Sequence, residues 1–436
     1  TMPISLGLTR IVKLLKALGN PHLTGNFKAV HVAGTNGKGS ICNYLSHILT
    51  ASNISNGRFT SPHLLTRSDS IQINDIPIDP QVFRTFESQV IDIDRRFSIG
   101  CTEFELLTCV AFEVFKERNV EVAIFEVGVG GRLDATNVLH SSNLLCTGVA
   151  KIGMDHQKLL GNTIEEIATQ KLGIMKEGVP CVIDGTNVSS VLELAEKTAR
   201  KLHSKLYEAS TNPQTKYSFG LYHDFKTPLH GKYQQNNLSV ALKLLDIAKE
   251  QGFSNITKQS ILKGLRETKW PGRLDEFKLQ LPNSRNLPVL LDGAHNLNAV
   301  TELIQYLEQN YRTKHENKSS NLIYVMAVKK DKNIKSLFRR LFRPDDNVIF
   351  TTFDENIEGM PWVRCTQPKL LEEEAVDTSK TIVLKPNMSD ALNEAYDQHL
   401  KTGKDVVICG SLYLVSDVLR YHVANGGVIS GYSNNE

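Results

Sequence analysis

Along most of this chain, short apolar and β-branched runs alternate with longer stretches whose apolar residues recur at helical spacing, the pattern of a parallel sheet covered by helices. In the first half, the runs at residues 29–33, 122–127 and 144–149 read as strands. After the first of them Ile41, Leu45, Ile48 and Leu49 fall on one stripe, as on a helix that lays one face on a sheet. A second helix is expected over residues 162–176. Thr163 and Glu166 stand there at capping-box spacing, Gly178 follows the end, and Ile164, Ile167, Ala168, Lys171 and Met175 share a face. Residues 206–233 lose the pattern, being rich in proline, glycine and aromatic side chains.

Further strand-like runs at 288–291, 322–327, 347–352, 381–384 and 405–409 predict a second parallel sheet. Trp270-Pro271-Gly272-Arg273 separates the two sets, and its proline and glycine suit a change of chain direction. Two α/β domains are therefore expected, residues 1–270 and 271–436. Residues 312–321 are polar enough for a surface loop, and 426–436 resemble a mobile tail.

Composition narrows the class. A chain of 436 residues exceeds one ordinary core, at roughly 150 residues per domain. Its 41% hydrophobic and 22% charged residues, without an apolar run of ~18, describe a globular enzyme and exclude a membrane-spanning helix. Fifty basic and 47 acidic residues give a net charge of +3 without long blocks of one sign. That lacks the footprint of a nucleic-acid binder and leaves small anionic substrates open. Seven scattered cysteines, never spaced C-x-x-C, indicate neither a zinc site nor a disulfide framework. With no secretory apolar region or arginine-rich transit segment at its start, the chain is expected in the cytosol, a monomer acting on small molecules, with no nucleic-acid or membrane partner.

The chemistry starts at Gly34-Thr35-Asn36-Gly37-Lys38-Gly39-Ser40, between an apolar run and an amphipathic stretch. Glycines let backbone N–H groups curl around phosphate oxygens, a lysine adds positive charge, and a hydroxyl reaches phosphate or Mg²⁺. The spacing departs from G-x-x-x-x-G-K-[ST], since Val32 stands at the first glycine and Gly39 separates Lys38 from Ser40. A glycine-rich turn that binds nothing would share these residues. Glu126 ends a buried strand, the place from which an acid reaches the crevice at a sheet's carboxyl edge, and there it can hold Mg²⁺ or simply meet solvent. The strand at 144–149 runs into Gly153-Met154-Asp155-His156, bringing His156 toward the same edge. Lys171 lies on an apolar helix face, where an ammonium must find a partner, shift its pKa, be chemically converted, or snorkel to the surface. Ser61, in Thr60-Ser61-Pro62-His63, could add a hydroxyl or merely mark a turn.

Together these motifs resemble the folate branch of the Mur ligase superfamily, the dihydrofolate synthase and folylpolyglutamate synthase enzymes. The resemblance spans nearly the whole chain. It runs from Leu8-Thr9-Arg10-Ile11 and Leu18-Gly19-Asn20-Pro21 through the phosphate loop, Thr60-Ser61-Pro62-His63-Leu64 and Gly128-Val129-Gly130-Gly131-Arg132-Leu133-Asp134-Ala135-Thr136-Asn137. It continues in Asp155-His156, Lys171-Leu172-Gly173-Ile174, Trp270-Pro271-Gly272-Arg273, Asp292-Gly293-Ala294-His295-Asn296 and Gly410-Ser411.

The resemblance implies a P-loop NTPase-like domain with a mainly parallel sheet and a smaller Rossmann-like domain, with an ATP-dependent ligation in the cleft between them. It makes Ser61, Glu126 and His156 look like ligands of Mg²⁺, two ions in all, with Lys38 and the loop Gly34, Thr35, Asn36, Gly37, Gly39 and Ser40 on ATP. Lys171 falls at the family's carbamylated lysine, a metal-bridging and catalytic position. Arg273, Asp292 and Asn237 look like further ATP contacts, although Tyr233 stands where many relatives have histidine before the glutamine. His295 and Ser411 resemble positions near the glutamate site, and His295 is expected, with Lys38 and Lys171, among the catalytic residues. The arginine and alanine of Gly131-Arg132-Leu133-Asp134-Ala135 are similar to dihydrofolate synthases and bacterial two-function enzymes, and Thr66-Arg67-Ser68-Asp69-Ser70-Ile71 departs from the pattern common in eukaryotic polyglutamate synthases. Ligation of glutamate to dihydropteroate is thus expected, with a folylpolyglutamate synthase or two-function enzyme as the alternative. A nucleotide-binding switch would lack reason to keep Arg273, Asp292 and His295.

Overall fold

The structure, a computed structural model, describes residues 5–313, 320–330, 334–429 and 431–432. The chain divides into two compact units, residues 1–228 with 233–269 and residues 229–232 with 270–436. Each is an α/β layer structure.

The first unit is built on β1 (Lys28–Ala33), β2 (Asn56–Phe59), β3 (Ile71–Ile73), β4 (Ile76–Pro77), β5 (Val122–Glu126), β6 (Leu144–Val149), β7 (Cys181–Asp184) and β8 (Leu206–Ala209). Their order is β4-β3-β2-β5-β1-β6-β7-β8, parallel except for β3 and β4 at one edge. Every residue of β5 and β6 is buried, as is all of β1 after Lys28, which is why these strands read as unbroken apolar runs. On one face Phe125 packs against Phe112 and Phe115, at ring separations of 4.7 and 5.4 Å. The chain leaves β1 toward β2 on one side and later places β6 on the other. The carboxyl ends of β1, β5 and β6 therefore border the crevice that such a reversal opens.

The helix predicted over 162–176 spans Ile164–Leu172, with the capping box formed: Glu166 N–H donates to Thr163 Oγ1 at 3.2 Å, and Thr163 N–H to Glu166 Oε2 at 3.1 Å. It stops early at Gly173, which lies so close to Arg132 that a Cβ there would stand 2.8 Å from the Arg132 Cα. Ile174 and Met175 stay buried in the irregular chain beyond. Residues 206–233 hold β8 and a small hairpin, β9 (Lys216–Tyr217) with β10 (Gly220–Leu221).

The second unit carries β11 (Asp275–Gln280), β12 (Asn286–Leu291), β13 (Ile323–Met326), β14 (Asn347–Phe350), β15 (Thr381–Leu384) and β16 (Val406–Cys409), ordered β11-β12-β16-β13-β14-β15. Five are parallel, but β11 pairs antiparallel with β12 along its whole length, so the sheet is mixed where a parallel one was predicted. As an edge strand, β11 keeps Asp275, Glu276, Lys278 and Gln280 only partly covered, and it lacks the apolar run that marks the others. The surface loop predicted at 312–321 begins on a buried residue: Arg312 donates to both oxygens of Asp346, at 3.0 and 2.7 Å, and to Tyr324 Oη at 3.0 Å. Residues 314–319 of that stretch lie outside the described residues. The predicted tail begins packed, with Ile429 buried, while 430 and 433–436 lie outside the described residues. No helix among the described residues is long and apolar enough to cross a membrane.

Candidate active site

At the end of β1 the chain turns through Gly34 to Gly37 into the helix Lys38–Ala51. Gly37, with φ +94°, occupies a conformation that favours glycine, and a side chain there would strike Asn237 Oδ1. The loop is clamped to the segment after β6. Thr35 and Asn36 N–H donate to the Lys151 carbonyl at 2.8 and 3.2 Å, and Thr35 Oγ1 donates to Gly153 O and accepts from Gly153 N at 3.0 and 2.9 Å. The amides of Lys38, Gly39 and Ser40 open the helix and have no partner within it, the arrangement that holds anions at helix N-termini.

Lys38 Nζ folds back on the loop, 3.2 Å from Gly34 O and 3.3 Å from Thr35 O, and lies 3.9 Å from Glu126 Oε1. Lys171 Nζ donates to the same Gly34 carbonyl at 2.8 Å from the buried face of its helix. Burial, and then the positive charge of Lys38, push Lys171 down to about 7, against the pull of Asp155 and Asp134. Two lysine side chains thus flank one loop carbonyl beside a buried carboxylate.

Glu126 Oε2 accepts from Ser61 N–H at 3.4 Å, which places the Ser61 hydroxyl residue at this carboxylate. His156, the residue before a short helical turn Gln157–Leu160, is exposed on the loop after β6 and has φ +51°. Among the described residues no three His, Cys, Asp or Glu side chains form a ready cluster for a metal ion. The expected donor set contains only two such side chains, Glu126 and His156; its hydroxyl and carboxylate oxygens are the hard donors that Mg²⁺ prefers. The residues present therefore fit Mg²⁺ as an incomplete shell around one fixed acid.

From the helix Tyr233–Glu250, Asn237 lies over Gly37 and donates through Nδ2 to Gln234 Oε1 at 3.0 Å, while Gln234 Nε2 donates to Ser40 Oγ at 3.2 Å. Gln234 was not singled out from sequence. Its spacing of three from Asn237 on one helix face was the available signal. Asp155, which favours the charged form of Lys171, was likewise passed over beside its histidine neighbour.

In the second unit, Asp292 follows β12 and is buried. Its Oδ1 accepts from Ala294 N–H and its Oδ2 from Leu274 N–H, both at 2.8 Å. Burial raises its pKa, and the neighbouring Arg273 and those amides oppose the rise. Gly293 N–H donates to Gly272 O at 3.0 Å, holding the Arg273 turn beside Asp292. His295 Nδ1 is 2.8 Å from Gly293 O and, facing a carbonyl, carries the proton. Ser411 caps the helix Leu412–Ala424, its Oγ accepting from Tyr413 N–H at 3.1 Å. Arg273 and Asp292 are thus held together by two adjoining segments, with His295 on the second of them.

The chain is 40% identical over 430 residues to the dihydrofolate synthetase of Saccharomyces cerevisiae, covering 97% of this chain and 99% of that one. The chain belongs to the dihydrofolate synthetase and folylpolyglutamate synthase family. A second member, the probable dihydrofolate synthetase of Schizosaccharomyces pombe, is 39% identical over 432 residues, covering 96% and 99% of the two chains. The family model described as dihydrofolate synthetase, C-terminal domain, matches residues 275–421. Within this family the folylpolyglutamate synthase of Mycobacterium tuberculosis, solved with ADP and AMPPCP, superposes with a TM-score of 0.81 at 26% identity, covering 97% and 96% of the chains. The α/β architecture and the mainly parallel first sheet are those of this family.

Proposed function

We propose that this chain is a dihydrofolate synthase, joining L-glutamate to 7,8-dihydropteroate with ATP to give 7,8-dihydrofolate, ADP and phosphate. The full-length relationship to two fungal proteins of that name carries this reading. The pteroate carboxylate is a poor electrophile, so its oxygen attacks the γ-phosphorus, the bond to the β,γ-bridging oxygen breaks, and ADP leaves as the acyl phosphate forms. The glutamate amine then adds to the acyl carbon, nitrogen loses a proton, and phosphate leaves as the amide forms.

Lys38 offsets the charge on the γ-phosphate, and the Lys38, Gly39 and Ser40 amides hold phosphate oxygens at the helix start. Gly34, Thr35, Asn36 and Gly37 shape the turn beneath them, and Asn237, Arg273 and Asp292 are further ATP contacts. Glu126, Ser61, His156 and, once carbamylated, Lys171 would hold two Mg²⁺ ions, which supply neutralisation of the phosphates. The neutral form of Lys171 that its burial favours is the form that reacts with CO₂. His295 is assigned to the glutamate side. The reading takes the enzyme to act as a monomer. The seven free cysteines, six of them buried, suit the cytosol.

Folylpolyglutamate synthesis is the second reading, favoured by the structural match to an enzyme of that name. Supplying ATP, Mg²⁺ and glutamate with either dihydropteroate or tetrahydrofolate, and measuring ADP and the glutamylated product, separates the two. ADP release that depends only on tetrahydrofolate rejects the dihydrofolate synthase assignment.

A further inference from the structure

The helix Lys38–Ala51 carries a fully buried asparagine whose amide is used at both ends. Asn43 Nδ2 donates to the Lys269 carbonyl at 2.8 Å, and Asn43 Oδ1 accepts from the guanidinium of Arg58, which is itself buried on β2 and donates also to Gln72 Oε1. A buried primary amide is tolerated when its donor and its acceptor are both satisfied, and an apolar side chain would fill the position without that requirement. Lys269 is the last residue of the first unit, after the brief earlier excursion of residues 229–232 into the second.

The segment leading there is fastened along the same helix in antiparallel order. Ser52 Oγ donates to Ser260 Oγ at 2.8 Å. Next, Gly264 lies against Ile48, where a Cβ would stand 2.6 Å from the Ile48 Cα. Last, Asn43 holds Lys269, while Thr268 Oγ1 donates to Gly264 O at 2.8 Å. Positions 52, 48 and 43 walk the segment down the helix toward the phosphate loop. Only the final tie demands an amide that donates.

We propose that Asn43 is a positioning residue: by holding the Lys269 carbonyl it fixes the point on the phosphate-loop helix from which Trp270-Pro271-Gly272-Arg273 departs from the first unit. The proposal rests on the ligase reading, with Arg273 an ATP contact. The test compares Asn43→Asp, which keeps the acceptor for Arg58 and the volume but cannot donate when ionised, with Ser52→Ala, which removes the tie at the far end. Asn43→Asp is expected to keep its melting temperature within about 5 °C of Ser52→Ala. Its kcat is expected to fall about tenfold or more with the KM for dihydropteroate unchanged, while Ser52→Ala keeps wild-type kinetics. Amide exchange over residues 268–273 is expected to speed about tenfold in Asn43→Asp alone.

Wild-type kcat and wild-type exchange in Asn43→Asp, or an equal kinetic loss in Ser52→Ala, overturns the proposal. Asn43→Ser, which removes both amide atoms without adding charge, gives the same readout should the aspartate variant not fold. A wild-type protein without ligase activity would reject the functional reading, and the exchange comparison would still decide the anchor.

Discussion

An ammonium that is buried and stands near a second ammonium has two reasons to lose its proton, and Lys171 has both. Its folded pKa of about 7 lies below the usual 10.5, so between those values the unfolded chain holds a proton that the folded one lacks. Stability should therefore rise with pH across that window, by up to about 1.4 kcal/mol per unit relative to Lys171→Met, and the penalty should be fully present below it. Urea melts of both proteins over the window check this, and parallel curves would show that Lys171 keeps its proton. Lys171→Met should also lose ligation. Glu126→Gln should lower kcat on the order of a hundredfold, measured as ADP release, because the one fixed acid of the proposed Mg²⁺ shell loses its charge. Lys171 and Glu126 were legible because each is a charge placed by an apolar pattern. Asn43 and Arg312 were not, since the partners that justify their burial, Lys269 and Asp346, are far along the chain.

Among the elements, those with their own local signals were read closely. The strands at 144–149 and 381–384 have the predicted limits, and the helix after Thr163 starts at its capping box. Thr163→Ala should cost about 1 kcal/mol, seen as a lower urea midpoint with an unchanged slope. What the pattern missed involves neighbours: Gly173, where the helix ends early, lies against Arg132, and β11 hides because an edge strand needs little apolar surface. Gly264 belongs here too. Gly264→Val would push its helix off Ile48, and a loss of about 2 kcal/mol or more is expected in the same melts.

At the scale of the molecule, each unit has its own core, so damage in one should be read out there. Asp346→Asn removes the buried carboxylate that Arg312 grips through two nitrogens and leaves it with Glu308, at 3.6 Å, so a loss of about 3 kcal/mol is expected in the second unit's calorimetric transition, with the first unit's transition in place. The phosphate-loop helix meets its neighbours across long stretches of chain: Ser40 is 194 residues from Gln234, Ser52 is 208 from Ser260, and Asn43 is 226 from Lys269. On the ribosome, all eight strands of the first sheet emerge before any of those partners. The nascent unit must hold one flank of its central helix bare until residues 258–269 arrive, so that flank, around residues 43–52, is expected to gain protection from protease only once the late segment has been translated.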